Sequence, residues 1–305
     1  VPVAKKILNQ KAKHWAMLLL LALIWGSSFI LIKKSLEVYS PGEVGAFRIL
    51  SAALVLLPLG ISKVKHLTQK QLAYLLCIGF LGSFVPAFLF ATAQTRLSSS
   101  LAGVINALTP LMVGVIGALL FKTKISRQNA LGLVIALLGV SILVLAGNSG
   151  NPDVFKELNL YGLLVVLAAI CYGFNVNIIK FKIQEIKPTT ITAISLMLVL
   201  PLSAIYLFGF TQFSFKLLHT EGALKAAGYI AFLGAVGTAA ALVLFNSIVK
   251  LVTPVFASSV TYIIPLVAIF WGVLDGESLF PLHYLGIFAV VVGVWIGNRK
   301  TKAVA

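Results

Sequence analysis

The sequence predicts an all-α integral membrane protein, with ten transmembrane helices arranged as two inverted five-helix repeats. Three observations predict it: an apolar composition with few charges, a recurring run length close to one bilayer span, and self-similarity between the two halves. Of the 305 residues, 60% are hydrophobic and 10% are charged, against about 25% charged in an average soluble domain. The mean hydropathy is +1.04. A spanning helix needs roughly 20 apolar residues, so ten of them use about 200 and leave short loops without room for a soluble catalytic domain.

Apolar runs bounded by charged or turn residues define the elements in order. The first runs over 15–35, after Lys5, Lys6, Lys11 and Lys13 and up to Lys33-Lys34. It continues through Trp25 to Ile32 without a small-residue cleavage site, so it reads as a helix rather than a cleaved signal peptide. Spans two to five follow at 42–62, 72–95, 98–121 and 127–147, with three and four divided only by Arg96-Leu97-Ser98. Spans six to ten lie at 160–180, 189–211, 222–249, 253–274 and 281–298, with eight and nine divided by Lys250-Leu251-Val252. The organisation is thus a basic N-terminus (1–14), a first repeat (15–147), a linker (148–159), a second repeat (160–298) and a basic C-terminus (299–305).

Charge gives the orientation. The 24 Lys and Arg outnumber the 8 Asp and Glu, for a formal charge of +16. With the N-terminus in the cytoplasm, 17 basic residues fall inside and 6 outside, with Arg48 within span two. Such a bias puts both termini in the cytoplasm and the linker outside. The net charge is then topological, and nucleic acid is not an expected partner. Cys77 and Cys171 fall inside spans three and six, where free cysteine acts as a small apolar residue. Neither a disulfide nor a metal or other cofactor is expected.

Self-similarity is the most informative feature. Trp25-Gly26-x-Ser28 with Lys33 and Pro41 matches Tyr172-Gly173-x-Asn175 with Lys180 and Pro188 at an offset of 147. Phe80-Leu81-Gly82 matches Phe232-Leu233-Gly234 at 152, Pro110-Leu111 matches Pro265-Leu266 at 155, and Leu131-Gly132 with Gly139 matches Leu285-Gly286 with Gly293 at 154. The drift is that of loop insertions. Five spans per repeat make the second repeat enter from the opposite side, and such inverted pairs open alternately to the two faces around a midplane site.

Ile24-Trp25-Gly26-Ser27-Ser28-Phe29, Phe47-Arg48, the stretch from Ala102 to Pro110 and the turn Gly276-Glu277-Ser278-Leu279 resemble the EamA family of the drug/metabolite transporter superfamily. The resemblance covers residues 15 to 298. It implies a ten-helix inner-membrane permease with cytoplasmic ends, exporting amino acids, other metabolites or toxic compounds. It also implies that spans one, three, four, six, eight and nine enclose a central cavity, with five and ten peripheral. One departure stands out: Lys122-Thr123-Lys124 occupies the place corresponding to Gly276-Glu277.

Polar residues inside a span are costly unless they pair or face a wet cavity. Trp25 and Ser28 share a helix face, and Tyr172 and Asn175 repeat the arrangement, giving two aromatic rings and two hydrogen-bonding groups for a solute. Asn106 with Thr109-Pro110, and Thr261-Tyr262 with Pro265, lie where proline frees a backbone carbonyl. That carbonyl either meets solute or is satisfied by Thr in a static kink. Spans three and eight add Ser83, Pro86 and Gln94, and Gly237, Thr238 and Asn246, and Arg48 either binds a carboxylate or phosphate or ties the scaffold together. Lys33 and Lys180, at span ends, read as anchors, and the glycines of spans five and ten as a packing seam.

No Asp, Glu or His lies in the middle of a span, so proton antiport through a midplane carboxylate is disfavoured. The same absence argues against an intramembrane enzyme, which needs clustered nucleophiles and bases. The expected function is transport of a small organic solute, with an exchanger of phosphorylated or anionic metabolites as the alternative in the same class. A non-transporting receptor or scaffold is the alternative from another class.

Overall fold

A computed structural model of the chain describes residues 2–123, 126–146, 160–251 and 259–297, with side chains from residue 15 onward except those of 144, 259 and 262. The linker 148–159, the start of span nine and the C-terminus 299–305 lie outside the described residues. Everything regular in the described residues is helical. Seven helices are long and apolar enough to cross a membrane, and three shorter apolar helices accompany them at spans five, nine and ten.

Span one begins within the basic segment, as part of a helix Pro2–Leu36. Span two is Pro41–Val64, opened by a capping box in which Ser40 accepts from the Glu43 N–H and Glu43 accepts from the Ser40 N–H. The box satisfies donors that a helix start leaves without partners. Span three is Gln69–Ala93 and span eight is Ala223–Leu251. Each holds a π-helical segment, Phe80–Phe84 in the one and Leu233–Ala240 in the other. Span four is broken into Ser99–Asn106 and Thr109–Phe121. Span nine has the same break, between Ser259–Tyr262 and Ile264–Leu274. Spans five (Arg127–Ala146), six (Gly162–Lys182), seven (Pro188–Gly209) and ten (Pro281–Gly297) complete the bundle.

Contacts between the halves obey a two-fold relation. Gly26 of span one packs against Val267 of span nine, and its counterpart Gly173 of span six packs against Met112 and Ile116 of span four. Gly234 meets the backbone of Arg48 and Ala52 in span two, whereas Gly79 meets Ser195 and Val199 in span seven. These pairs set the register between spans three and eight at 155, with Gly79 matching Gly234 and Gly82 matching Gly237. The offset of 152 expected from Phe80-Leu81-Gly82 is therefore corrected by three residues. Three residues are nearly one helical turn, and both spans carry Gly-x-x-Gly, so the wrong match keeps the same face.

The change from 147 to 155 falls in the connection between spans seven and eight. It contains a short helix, Phe213–His219, absent from the expected elements. Phe213 is buried there against Tyr39 and Phe47, at ring distances of 5.1 and 4.6 Å, and Lys216 pairs with the buried Glu43 at 2.7 Å. Spans five and ten pack on each other along the glycine stripe. A Cβ at Gly132 would lie 2.4 Å from the Gly293 carbonyl oxygen, and one at Gly139 would lie 2.8 Å from that of Gly286.

Candidate functional site

Spans one, two, three, four, six, eight and nine surround a central cavity that is open to solvent. Its lining includes Trp25, Ser28, Arg48, Asn106, Tyr172, Asn175 and Thr261 among the expected residues. Span two was not among the expected cavity spans, and it contributes Arg48 and Ile49.

Two aromatic pairs form parts of the wall. The Trp25 ring meets Phe245 edge-on at 5.2 Å, and the Tyr172 ring lies over Phe90 at 6.2 Å. The pairs are two-fold mates, since Trp25 corresponds to Tyr172 at 147 and Phe90 to Phe245 at 155. Phe90 and Phe245 were not among the sequence candidates. The repeat offset alone would have paired them once its register was right.

The π-helical segments supply backbone to this wall. Trp25 Nε1 donates to the Gly237 carbonyl at 2.9 Å. Thr238 donates to the Leu233 carbonyl, five residues back, at 3.0 Å, and accepts from Arg48 Nε at 2.9 Å. Ser28 is satisfied within its own helix by the Ile24 carbonyl. Asn175, 3% exposed, faces Gly82, and its Oδ1 has no hydrogen-bond partner. Short π insertions of this kind recur at functional sites.

At the break in span four, Thr109 donates to the Asn106 carbonyl at 2.7 Å. The carbonyl freed by Pro110 is thus satisfied by Thr, as in the static-kink alternative. Gln94 and Asn246 do not line the cavity. Gln94 ends span three as a buried amide, and Asn246 Nδ2 donates to Thr192 Oγ1 of span seven at 2.9 Å. An amide inside a bundle serves helix association as readily as a solute, and periodicity does not separate the two roles. Tyr262 ends the short turn 259–262, and its side chain lies outside the described residues.

At one end of the bundle, three of the cavity-lining spans are tied together. Glu277, after span nine, accepts from the backbone N–H and hydroxyl of both Ser99 and Ser100 at the start of span four, over 2.6–3.0 Å. Lys33 of span one pairs with Glu277 at 3.0 Å and with Asp275 at 2.8 Å, and Lys34 pairs with Asp275 at 2.7 Å. Lys33 is therefore part of a latch rather than an interfacial anchor. Burial pushes the Glu277 carboxyl up, but hydrogen bonds from Ser100, Ser99 and Lys33 outweigh it and hold the group below its ordinary 4.5. Hydrogen bonds from Lys33 and Lys34 hold Asp275 below 3.8.

The two-fold mate of this latch shares its left-handed turn and has different chemistry. Lys122 ends span four in the left-handed region at φ 55°, as Gly276 does after span nine at φ 81°. Thr123 then donates its N–H to the Gly117 carbonyl, six residues back, where Glu277 donates to that of Gly272, five back. Thr123 stands where Glu277 stands, so that end lacks the carboxylate. Lys180, the mate of Lys33, reaches the Val249 carbonyl at 3.4 Å instead.

Residues 13–145 and 159–299 each match the model of the EamA-like transporter family. The chain is 26% identical over 290 residues to a protein of Archaeoglobus fulgidus named an uncharacterized transporter, covering 94% of this chain and 99% of that one. It is 26% identical over 289 residues to the Escherichia coli K12 protein named uncharacterized inner membrane transporter YedA, covering 90% and 87%. A Salmonella typhimurium protein named "Probable amino-acid metabolite efflux pump" is 27% identical over 176 residues, 58% of this chain and 56% of that one. One solved crystal structure shares the fold at a TM-score of 0.63 and 16% identity, over 93% of this chain and 96% of its own.

Proposed function

This chain belongs to the EamA-like transporter family, and from that premise we propose that it exports a small organic solute of the amino-acid or related-metabolite class across the inner membrane. The central cavity is the solute site, and the inverted repeats open it alternately to the two faces, with both termini in the cytoplasm. The observation that carries this reading is the pair of two-fold related aromatic clusters, Trp25 with Phe245 and Tyr172 with Phe90, beside two broken helices at spans four and nine. A site built from equivalent residues of both repeats is available equally when either repeat tilts. Broken helices put backbone groups at membrane depth only where they line a cavity or are buried in protein.

The outward direction rests on the Salmonella relative's name. An exchanger of phosphorylated metabolites is less well supported, because a dianion calls for several basic groups and Arg48 alone among the described lining residues is basic. The test is solute counterflow in proteoliposomes against a panel of amino acids, cationic aromatics, nucleosides and phosphorylated sugars. Saturable uptake of amino acids is the expected result. Saturable uptake of phosphorylated sugars alone would replace this reading with the exchanger, and no uptake of any class by folded protein would remove it.

A further inference from the structure

Resting on the transport reading above, we infer that the solute carries one carboxylate, that Arg48 is its anchor, and that the side-chain oxygen of Asn175 receives an N–H from the same solute. Arg48 keeps its charge at any physiological pH. Its Nε is held by Thr238, and Thr238 is itself oriented by the Leu233 carbonyl. No other hydrogen bond joins the guanidinium to the described residues, which leaves its two terminal nitrogens for a ligand. Two parallel donors of this kind match the two oxygens of a carboxylate.

The cavity offers that charge no partner. No Asp or Glu is among the described lining residues, and the ion pairs of the described residues lie at span ends and connections. A charge held in apolar surroundings is costly without a counter-charge, so an anionic solute relieves a cost that the empty site carries. One charge calls for one anion. The two-fold mate of Arg48 is Ser195, which is 2% exposed and donates to the Thr192 carbonyl. A phosphate dianion would therefore leave one negative charge unmatched.

The second polar feature sits in the other repeat. Asn175 Oδ1 is a buried acceptor without a donor, whereas its two-fold mate Ser28 is satisfied within its own helix. The absence of a Cβ at Gly82 is what gives the Asn175 amide its space, since a Cβ there would lie 2.6 Å from it. Arg48 from the first repeat and Asn175 from the second thus each lack an equivalent in the other repeat. They give the site an orientation: carboxylate to span two, N–H to span six, apolar remainder against the rings.

Matched solutes test this on the wild-type protein in counterflow. One set is L-phenylalanine, 3-phenylpropionate and 2-phenylethylamine; the other is L-leucine, 4-methylpentanoate and 3-methylbutylamine; glucose 6-phosphate is added alone. Removing the carboxylate is expected to weaken competition about a hundredfold, and removing the amine about tenfold. In Arg48→Gln the amino acid and its amine should come within about threefold of each other, a change of preference that loss of scaffold packing does not produce. Arg48→Lys, which keeps the charge, should retain the order if Arg48→Gln does not fold. Amines competing as well as amino acids, or glucose 6-phosphate competing better, would overturn the inference. If flux is absent while tryptophan fluorescence titrations show the same order of binding, the transport reading fails and this one stands. Absence of both flux and binding overturns this one as well.

Discussion

Glu277→Gln is the sharpest probe of what holds spans one, four and nine together. The carboxylate accepts at Oε1 from the Ser99 N–H and hydroxyl and from Lys33, and at Oε2 from the Ser100 N–H and hydroxyl. An amide keeps one acceptor and turns the other into a donor facing two donors. The serine hydroxyl can rotate to accept, but a backbone N–H cannot, so one buried N–H is orphaned and the charge that held Lys33 is gone. Leaving a buried donor unsatisfied costs about 1–3 kcal/mol, and each hydrogen bond to a charged group is worth about 1.5–3. The Glu277 side chain is 5% exposed, so solvent recovers little of this, and about 3 kcal/mol is expected in all. Thermal unfolding in detergent should show a midpoint lowered by roughly 5 °C or more. In a double-mutant cycle, Ser100→Ala should cost much less in the Glu277→Gln background than in wild type. An unchanged midpoint, or strictly additive losses, would show that the latch contributes nothing.

The latch also predicts a pH response. Both carboxylates are held below their ordinary values of 3.8 and 4.5, so their stabilisation is complete above about pH 5 and is lost only as pH falls through the lowered values; midpoints of wild type and Glu277→Gln should differ by a constant amount from pH 5.5 to 8 and converge below pH 4. Gly272→Ala should act like a latch variant without touching a charge, because its Cβ would lie 2.1 Å from Ser100 Oγ and 2.3 Å from Glu277 Oε2; a midpoint equal to wild type would contradict the packing described. Trp25→Ala removes the ring against Phe245 and the hydrogen bond to the Gly237 carbonyl, and half-saturation in counterflow should rise at least about tenfold; full transport at unchanged affinity would remove Trp25 from the site. With no Asp, Glu or His among the described cavity residues, counterflow should not respond to an imposed pH gradient. A steep dependence would require a proton-carrying group elsewhere.

Much of the architecture was legible along the chain, because hydrocarbon imposes one length and one composition on every span. The ten apolar runs, the repeat and the facing of Trp25 with Ser28 and Tyr172 with Asn175 all follow from periodicity. The site was legible in part. Polar residues inside spans are few enough to enumerate, and most of the candidates line the cavity. Gln94 and Asn246 do not: the Asn246 amide donates to Thr192 of span seven, and the buried Gln94 amide has neither a hydrogen-bond partner among the described residues nor a place in the wall. Residue type and depth in a span do not separate either case from solute contact. Phe90 and Phe245 escaped for the opposite reason: in a chain with 20 phenylalanines, an aromatic ring in a span carries no mark of which way it faces.

What the sequence alone determined is therefore whatever depends on near neighbours: span count, the duplication, the bias of basic residues and the chemistry available at each depth. What the tertiary structure decided depends on partners far apart in the chain. Lys33 meets Glu277 244 residues away, Arg48 meets Thr238 190 residues away, and spans three and eight align at 155 rather than 152 because Gly79 and Gly234 must both clear backbone of the opposite repeat. A helix fixes neighbours at three and four residues by its own hydrogen bonds. Which helix faces which, and so whether a charge is an anchor, a latch or a solute site, is set by packing between the two repeats.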